Sequence, residues 1–191
     1  MSTMSRLPVK PPTTGGEALE NIVLGGGCFW CVEGALKGLR GVSEVIPGYS
    51  GGHVENPTYE QVCAKRTGHA EVVRVSFDTD IISTATLLDV FFTCHDPTQL
   101  NRQGNDIGPQ YRSATFHSNN NQKSCIEDAI AKASNLYDAP IVTEVSPLVN
   151  FFVAEDYHHD YFANNPGNPY CRMVVAPKIA KTRAKHASLY E

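Results

Sequence analysis

The residues best suited to chemistry lie in one short segment, Gly25-Gly26-Gly27-Cys28-Phe29-Trp30-Cys31-Val32-Glu33. Its glycines predict a tight turn before a helix that begins at Cys28. A thiol in the first turn of a helix lies near the positive end of the helix dipole, which favours the nucleophilic thiolate. Cys31 lies three residues later on the same helical face, so its sulfur can reach that of Cys28 and form a disulfide. Phe29 and Trp30 add apolar walls that suit an apolar group of a substrate.

Two other interpretations compete for this cysteine pair. One is a pair of buried packing residues, which a lone cysteine would favour but which fits poorly with the glycine run, the helix start and the aromatic neighbours. The other is a structural metal site, which needs four ligands and normally a second close pair of cysteines or histidines. His158 and His159 are adjacent and point apart on a helix, and the other cysteines are scattered: Cys63, Cys94, Cys125 and Cys171. No metal site is therefore expected.

Composition narrows the class of protein. The chain has 191 residues, 41% of them hydrophobic and 19% charged, a balance typical of one globular domain. Its net charge of −4 disfavours binding to a nucleic-acid backbone. No apolar run reaches the roughly 18 residues that cross a bilayer, and residues 1–20 lack the apolar stretch of a secretory signal. We expect a cytoplasmic monomer with no membrane or nucleic-acid partner, in which most thiols stay reduced.

Strands and helices alternate around the cysteine segment. Apolar runs predict strands at 20–24, 42–49, 72–77, 112–117, 141–145, 149–153 and 173–175. Helical spacing and capping residues predict helices at 28–38, 57–63, 83–92, 119–137, 155–164 and from 177 onward, with a long loop at 96–110.

This order of elements favours an α+β fold over a doubly wound parallel sheet, because two strands follow each other at 141–153. The expected architecture is a two-layer α/β sandwich with a ferredoxin-like core and long irregular loops. We predict a single catalytic domain over residues 20–191, preceded by a flexible tail over residues 1–19.

Further motifs accompany the cysteine segment. They are Gly48-Tyr49-Ser50-Gly51-Gly52, Asn56-Pro57-Thr58-Tyr59-Glu60, Thr67-Gly68-His69-Ala70-Glu71-Val72-Val73, His95-Asp96-Pro97-Thr98, Asn101-Arg102-Gln103-Gly104-Asn105-Asp106-Ile107-Gly108, Gln110-Tyr111-Arg112-Ser113, Phe151-Phe152 with Glu155, and Tyr157-His158. With the cysteine segment, these motifs closely resemble the peptide methionine sulfoxide reductase A family from about Asn21 to Lys181. So many matches in order are far more specific than a lone Cys-x-x-Cys.

The resemblance implies a role for each candidate site residue. Cys28 would attack the sulfur of a methionine sulfoxide, while Phe29 and Trp30 hold its methyl group. Glu71 would supply a proton to the departing oxygen, which suits the chemistry because a sulfoxide oxygen leaves poorly until it is protonated. The remaining matches are two phenol donors and three residues of the substrate pocket, namely Tyr59 and Tyr111, and Asp106, Tyr157 and His158.

Taken singly, these residues also fit structural roles. Glu71 could be an exposed carboxylate at a strand edge, Tyr59 and Tyr111 could be core aromatics, and Asp106 could form a turn beside Gly108. The surrounding motifs favour the functional interpretation for Glu71 and the two tyrosines.

A second thiol must condense with the sulfenic acid that the attack leaves on Cys28. Cys31 has the spacing for this step, and members of the resembled family with cysteine at this position use it. Members with glycine there use C-terminal cysteines, of which this chain has only Cys171, after a loop at 164–170 and before the predicted strand at 173–175. We therefore favour Cys31, with Cys171 as the alternative, and interpret Cys63, Cys94 and Cys125 as small buried packing residues.

The resulting hypothesis is a peptide-methionine (S)-S-oxide reductase that acts on free or protein-bound methionine S-sulfoxide and is regenerated by thioredoxin. No cofactor is expected, because sulfur carries both electrons. The alternative is a general thiol–disulfide oxidoreductase that uses Cys28 and Cys31 as a dithiol, and a third class is a peptide-binding module with incidental cysteines. The thioredoxin-like βαβ context of the first alternative is not recognisable in the sequence.

Overall fold

The computed structural model describes residues 18–191. Most of the tail predicted over residues 1–19 therefore lies outside the described residues, and Leu19 already belongs to the first strand.

The strands are β1 (Leu19–Gly25), β2 (Val42–Ser50), β3 (Ala70–Asp78), β4 (Arg102–Gln103), β5 (Asp106–Ile107), β6 (Ala114–His117), β7 (Glu144–Pro147) and β8 (Phe152–Val153). The α-helices are α1 (Phe29–Leu36), α2 (Tyr59–Cys63), α3 (Thr84–Phe91), α4 (Asn120–Ser134), α5 (Tyr161–Asn164) and α6 (Ala176–Lys185). Short 3-10 turns lie at Pro109–Tyr111, Asp156–His158 and Ala187–Leu189, and a π-helical turn at Cys171–Val175 leads into α6.

Six strands form one sheet in the order β7-β6-β1-β3-β2-β8. All neighbouring strands are antiparallel except β6 and β7. In chain order, β1, α1, β2, β3, α3 and β6 form a β-α-β-β-α-β unit with the strand order of a ferredoxin-like core. The predicted α+β fold is confirmed.

The two central strands bury side chains on both faces of the sheet. Ile22 and Leu24 of β1 belong to the main core with α1, α3 and α4, whereas Val23 between them belongs to a smaller cluster on the opposite face. This alternation follows from the two-residue period of a strand. The smaller cluster is covered by Leu148 and Phe151 rather than by helices. The fold is therefore a two-layer sandwich.

Pairing of β1 with β3 positions the candidate site. Leu24 pairs with Val73, so the end of β1 and the start of β3 lie at the same edge of the sheet. The chain leaves β1 through Gly25 and enters α1 after Cys28, while Glu71 is the second residue of β3. Two motifs that are far apart in sequence thus meet at one edge.

Helix α6 lies across α1, where Gly34 leaves room for it. A Cβ atom at Gly34 would lie 2.2 Å from Cδ1 of Ile179, which is closer than real contacts allow. The C-terminal part of the chain therefore packs directly on the helix that begins at Cys28.

Several predicted elements have different limits. The strand predicted at 141–145 lies at Glu144–Pro147, where pairing with β6 begins, and the one predicted at 149–153 is reduced to Phe152–Val153. Asn150 accounts for the shorter strand, because its side chain bonds the backbone at Gly51 and Gly52. The predicted loop at 96–110 contains the hairpin of β4 and β5.

The helix predicted at 155–164 is interrupted. Asp160 has a left-handed backbone with φ of +53°, and its N–H donates to the side chain of Glu33 instead of continuing a helix. The segment therefore divides into the 3-10 turn at Asp156–His158 and α5.

The strand predicted at 173–175 is wrong, because these residues belong to the π-helical turn before α6. Cys171 and Val175 are buried in the main core, whereas Met173 between them is exposed. The four-residue spacing of the buried side chains suits a helix packed on α1, and this packing overrides the strand preference of valine.

No helix among residues 18–191 is long and apolar enough to cross a membrane.

Leu88 tests the main core. It is fully buried on α3, whereas Leu136 after α4 is 70% exposed. We expect Leu88→Ala to lower the free energy of unfolding by about 2–5 kcal/mol, because it removes buried methyl groups and leaves a cavity. The matched change Leu136→Ala should cost less than about 0.5 kcal/mol. Urea unfolding of both variants measures the difference, and equal losses would contradict the described core.

Candidate active site

Cys28 sits at the junction between β1 and α1. Gly27 has a φ of +89°, a left-handed conformation that glycine adopts without strain. Cys28 is the N-cap residue of α1, and its carbonyl oxygen accepts the N–H of Cys31 at 3.0 Å. The predicted glycine turn and helix start are therefore present, with Cys28 only 6% exposed.

The side chains of Cys28 and Cys31 lie close enough for each to shift the pKa of the other. Burial raises the pKa of Cys28 well above its usual value, and the neighbouring Cys31 and a negative charge on Glu71 raise it further. The N–H of Trp30 lowers this pKa, as expected at a helix start, but burial outweighs it. The helix start therefore favours the Cys28 thiolate, as expected from the sequence, but burial favours the thiol more strongly.

Cys31 shows the opposite shift. The neighbouring thiol of Cys28 lowers the pKa of Cys31, against the effect of burial, and the ammonium of Lys178 lowers it further. A negative charge is therefore more stable on Cys31 than on Cys28.

Glu71 is buried beside this pair. Its Oε2 accepts the backbone N–H of Phe29 at 3.1 Å, and the side chain is 1% exposed. Burial raises its pKa to about 8, although the hydrogen bond from Phe29 lowers it. Glu71 is therefore mainly protonated at neutral pH and can donate a proton, which is the opposite of an exposed strand-edge carboxylate.

Tyr59 and Tyr111 lie close enough to Glu71 for its charge to affect both phenols. Burial, followed by the charge of Glu71, raises the pKa of each tyrosine. Both phenols therefore stay protonated and can donate hydrogen bonds, as the sequence predicts. The thiol of Cys63 lies close enough to raise the pKa of Tyr59 further.

Phe29 and Trp30 begin a cluster of aromatic rings. The ring of Phe29 stacks with that of Tyr59, with centroids 6.5 Å apart. Trp30 stacks face to face on Tyr161, with centroids 3.7 Å apart and an interplanar angle of 5°. Tyr170 approaches the indole edge-on at 5.9 Å. These rings form the apolar wall beside Cys28.

His158 is fully buried between these rings. Its Nδ1 accepts the indole N–H of Trp30 at 3.1 Å, so the neutral ring carries its proton on Nε2. Burial lowers the pKa of His158, which favours this neutral form. Tyr157 lies against the imidazole, with centroids 4.0 Å apart, and is 53% exposed. His158 thus lies inside the aromatic cluster and Tyr157 at its exposed side.

Asp106 is held by a residue for which the sequence predicted no role. The hydroxyl of Tyr170 donates to Oδ2 of Asp106 at 2.5 Å. Tyr170 joins the hairpin of β4 and β5 to the segment that leads into α6, and it also contacts Trp30. Tyr161 was missed as well, although its position three residues after His158 in an aromatic segment was a usable signal.

Glu155 holds two tyrosines of the site in position. Its Oε1 accepts the hydroxyl of Tyr49 and its Oε2 accepts the backbone N–H of Tyr59, both at 3.0 Å. Burial would raise the pKa of Glu155, but these hydrogen bonds hold it below the usual value. Glu155 was noted in the sequence only as part of a motif, without a role.

The other cysteines differ in their surroundings. Cys171 is fully buried in the π-helical turn, where its N–H donates to Oδ1 of Asn168 at 3.2 Å. Burial raises its pKa, and a negative charge on Cys31 raises it further. Cys94 is buried as predicted, whereas the prediction of burial is wrong for Cys63 and Cys125, which are half-buried.

No group of three or more histidine, cysteine, aspartate or glutamate side chains in residues 18–191 is arranged to hold a metal ion. The described site consists of thiols, a protonated carboxyl group, phenols and an aromatic wall.

Comparison with known proteins places this arrangement in context. The profile of the peptide methionine sulfoxide reductase family matches residues 20–190. The peptide methionine sulfoxide reductase MsrA of Saccharolobus solfataricus is 52% identical over 163 residues, which cover 85% of this chain and 92% of that protein.

Solved structures are also similar to this chain. Mxr1 of Saccharomyces cerevisiae in its reduced form has a TM-score of 0.77 at 30% identity, covering 85% of this chain and 94% of that one. Methionine sulfoxide reductase A of Corynebacterium diphtheriae has a TM-score of 0.73 at 35% identity, covering 81% and 78%. Mxr1 has also been solved in complex with Trx2, where the match has a TM-score of 0.55 at 21% identity and covers 80% and 91%.

Glu71 should titrate far above an ordinary carboxyl group. We expect an infrared carbonyl band of protonated Glu71 at pH 7 that disappears with a midpoint near pH 8, because burial disfavours the charged form. The difference spectrum between the wild-type protein and Glu71→Gln isolates this band. The matched control is Glu33→Gln, because it removes a different buried carboxyl group whose pKa burial also raises. A midpoint near the ordinary 4.5 would contradict the described environment.

Proposed function

Since the chain belongs to the peptide methionine sulfoxide reductase family and reduces methionine sulfoxide, we propose how its own residues carry out the reaction. The observation that carries the proposal is the grouping of the Cys28–Cys31 thiol pair with protonated Glu71 at one edge of the sheet. Family membership favours this function over a general thiol–disulfide oxidoreductase.

Cys28 is the nucleophile. In the resting protein its thiol is protonated and the aromatic wall beside it is apolar, so a substrate methyl group binds there without removing a charged group from water. The sulfur of Cys28 attacks the sulfoxide sulfur while Glu71 gives its proton to the sulfoxide oxygen. The phenols of Tyr59 and Tyr111 donate hydrogen bonds to that oxygen, and Asp106 takes part in substrate binding.

The first half of the reaction transfers one oxygen atom. The attack forms a bond between the sulfur of Cys28 and the substrate sulfur. The sulfur–oxygen bond of the substrate then breaks as its hydroxyl group passes to the sulfur of Cys28, the sulfur–sulfur bond breaks, methionine is released, and Cys28 becomes a sulfenic acid. The thiol proton of Cys28 replaces the proton that Glu71 has given, so that sulfoxide and thiol are converted to thioether and sulfenic acid. Sulfur of the substrate is reduced and sulfur of Cys28 is oxidised.

Cys31 resolves the sulfenic acid. It follows Cys28 in the first turn of α1, and the ammonium of Lys178 lowers its pKa, which favours the attacking thiolate after Cys28 has been oxidised. Water leaves and a Cys28–Cys31 disulfide forms. Cys171 is the less suitable candidate, because it is fully buried within a helical turn and burial raises its pKa.

A dithiol such as thioredoxin returns two electrons to the disulfide and becomes a disulfide itself. The structure of the yeast relative Mxr1 in complex with Trx2 supports this choice of reductant. A cytoplasmic location fits a site that depends on free thiols. Selectivity for the S epimer, the monomeric state and a single catalytic domain over residues 20–191 belong to the same proposal.

The nucleophile is tested by turnover with dithiothreitol on separated epimers of methionine sulfoxide. We expect reduction of the S epimer by the wild-type protein and no detectable turnover by Cys28→Ser, because serine is too poor a nucleophile at neutral pH. Cys125→Ser, a half-buried cysteine on α4, is the matched control and should retain activity. Reduction of only the R epimer, or full activity of Cys28→Ser, would refute the proposal.

The resolving thiol is tested by counting thiols after one equivalent of sulfoxide without reductant. The wild-type protein and Cys171→Ser should each lose two thiols per turnover, whereas Cys31→Ser should lose one and leave a sulfenic acid that dimedone traps. Loss of two thiols by Cys31→Ser, together with loss of one by Cys171→Ser, would assign the step to Cys171.

A further inference from the structure

Glu33 has no part in the chemistry proposed above, yet it is a buried carboxyl group one turn after Cys28 on α1. It is 3% exposed, and its Oε1 accepts the backbone N–H of Asp160 at 2.9 Å. A buried carboxyl group needs hydrogen-bond partners. The partner of Glu33 is the backbone of Asp160, which lies 127 positions later in the sequence.

The backbone of Asp160 has an unfavourable conformation, and its N–H has its hydrogen-bond partner in another part of the chain. Its φ of +53° and ψ of +31° are left-handed, which costs free energy for a residue with a Cβ atom. His159 ends the 3-10 turn and Asp160 begins α5, so the N–H of Asp160 cannot bond within a continuous helix. Lys37, the C-cap residue of α1, forms an ion pair with the carboxylate of Asp160, but both side chains of that pair are about half exposed.

The residues on either side of Asp160 form the wall around Trp30. His158 accepts the indole N–H, and Tyr161 covers the indole face at a centroid distance of 3.7 Å. The direction in which the chain turns at Asp160 thus determines whether both rings reach Trp30 together. Trp30 and Glu33 lie on the same helix, so the bond fixes the wall relative to Cys28.

We propose that Glu33 is a positioning residue, which holds Asp160 so that His158 and Tyr161 close the apolar pocket against Trp30. The inference rests on the proposed function only in assigning the pocket to the methyl group of the substrate. Glu33 touches neither the thiol pair nor the reacting atoms, and it acts through Asp160.

Two substitutions at Glu33 separate the effect of the acceptor's position from the effect of its charge. Glu33→Gln keeps an oxygen acceptor at the same distance and removes the charge, whereas Glu33→Asp keeps the charge and withdraws the acceptor by one methylene group. Lys37→Ala is the matched control, because it removes the exposed ion pair with Asp160 and leaves the bond to Glu33.

Trp30 reports the outcome directly, since it is the only tryptophan in the chain. In Glu33→Asp we expect a red-shifted emission and an acrylamide quenching constant about twofold or more above wild type, because Tyr161 no longer covers one face of the indole. Glu33→Gln and Lys37→Ala should give the wild-type spectrum and quenching.

Single turnover of the pre-reduced protein gives the second readout, without involvement of the reductant. We expect Glu33→Asp to raise the half-saturating sulfoxide concentration about tenfold and to leave the limiting rate within about twofold, because the wall contacts the methyl group equally before and during reaction. Glu33→Gln should restore the wild-type value.

Three results would overturn the proposal. They are unchanged emission and half-saturation in Glu33→Asp, equal defects in Glu33→Asp and Glu33→Gln, or an effect of Glu33→Asp confined to the melting temperature. The emission measurements need no substrate. If the wild-type protein failed to reduce sulfoxide, the proposed function would fail while the spectra still decided whether Glu33 positions Trp30.

Discussion

The hydrogen bond from the N–H of Phe29 to Glu71 joins the start of α1 to the start of β3, and the chemistry of the site depends on it. It exists because β1 and β3 are antiparallel neighbours, so that the end of one strand meets the beginning of the other. The bond fixes a carboxyl group beside Cys28 and satisfies one of the unpaired N–H groups at the helix start. A single contact thus serves the fold and the site.

Burial keeps two groups of the site protonated. It keeps Glu71 protonated near neutral pH, so that this carboxyl group can donate a proton, and it keeps Cys28 as a thiol. Neither group carries a stable charge in the resting site. Cys31 is the exception, since the neighbouring Cys28 and Lys178 favour its thiolate. The reactivity of the site is therefore distributed over two sulfur atoms.

Much of this could be predicted from the sequence, because strong local signals coincide with the sites of chemistry. The glycine run before Cys28, the strand that follows Glu71 and the helix capped by Ser83 are all where their patterns place them. The errors arise where a distant residue determines the local backbone. Glu33 interrupts the helix predicted at 155–164, and packing on α1 makes 173–175 helical.

The pKa of Cys28 could not be predicted for a related physical reason. A helix start lowers the pKa of a thiol and burial raises it, and the sequence does not show how deeply the side chain is buried. The hydrogen bond between Tyr170 and Asp106 could not be predicted from the sequence either, since its partners lie 64 positions apart. Sequence motifs identify the reacting residues. The groups that shift their pKa values and hold them in position are brought together only by the tertiary structure.

The position of Cys31 in the first turn after Cys28 also bears on the lifetime of the oxidised intermediate. In the proposed mechanism, its attack on the sulfenic acid is intramolecular and benefits from a high effective concentration. A peroxide molecule that would oxidise the same sulfur further must instead diffuse to a side chain that is 6% exposed. The same burial that keeps Cys28 a thiol thereby protects it from irreversible oxidation.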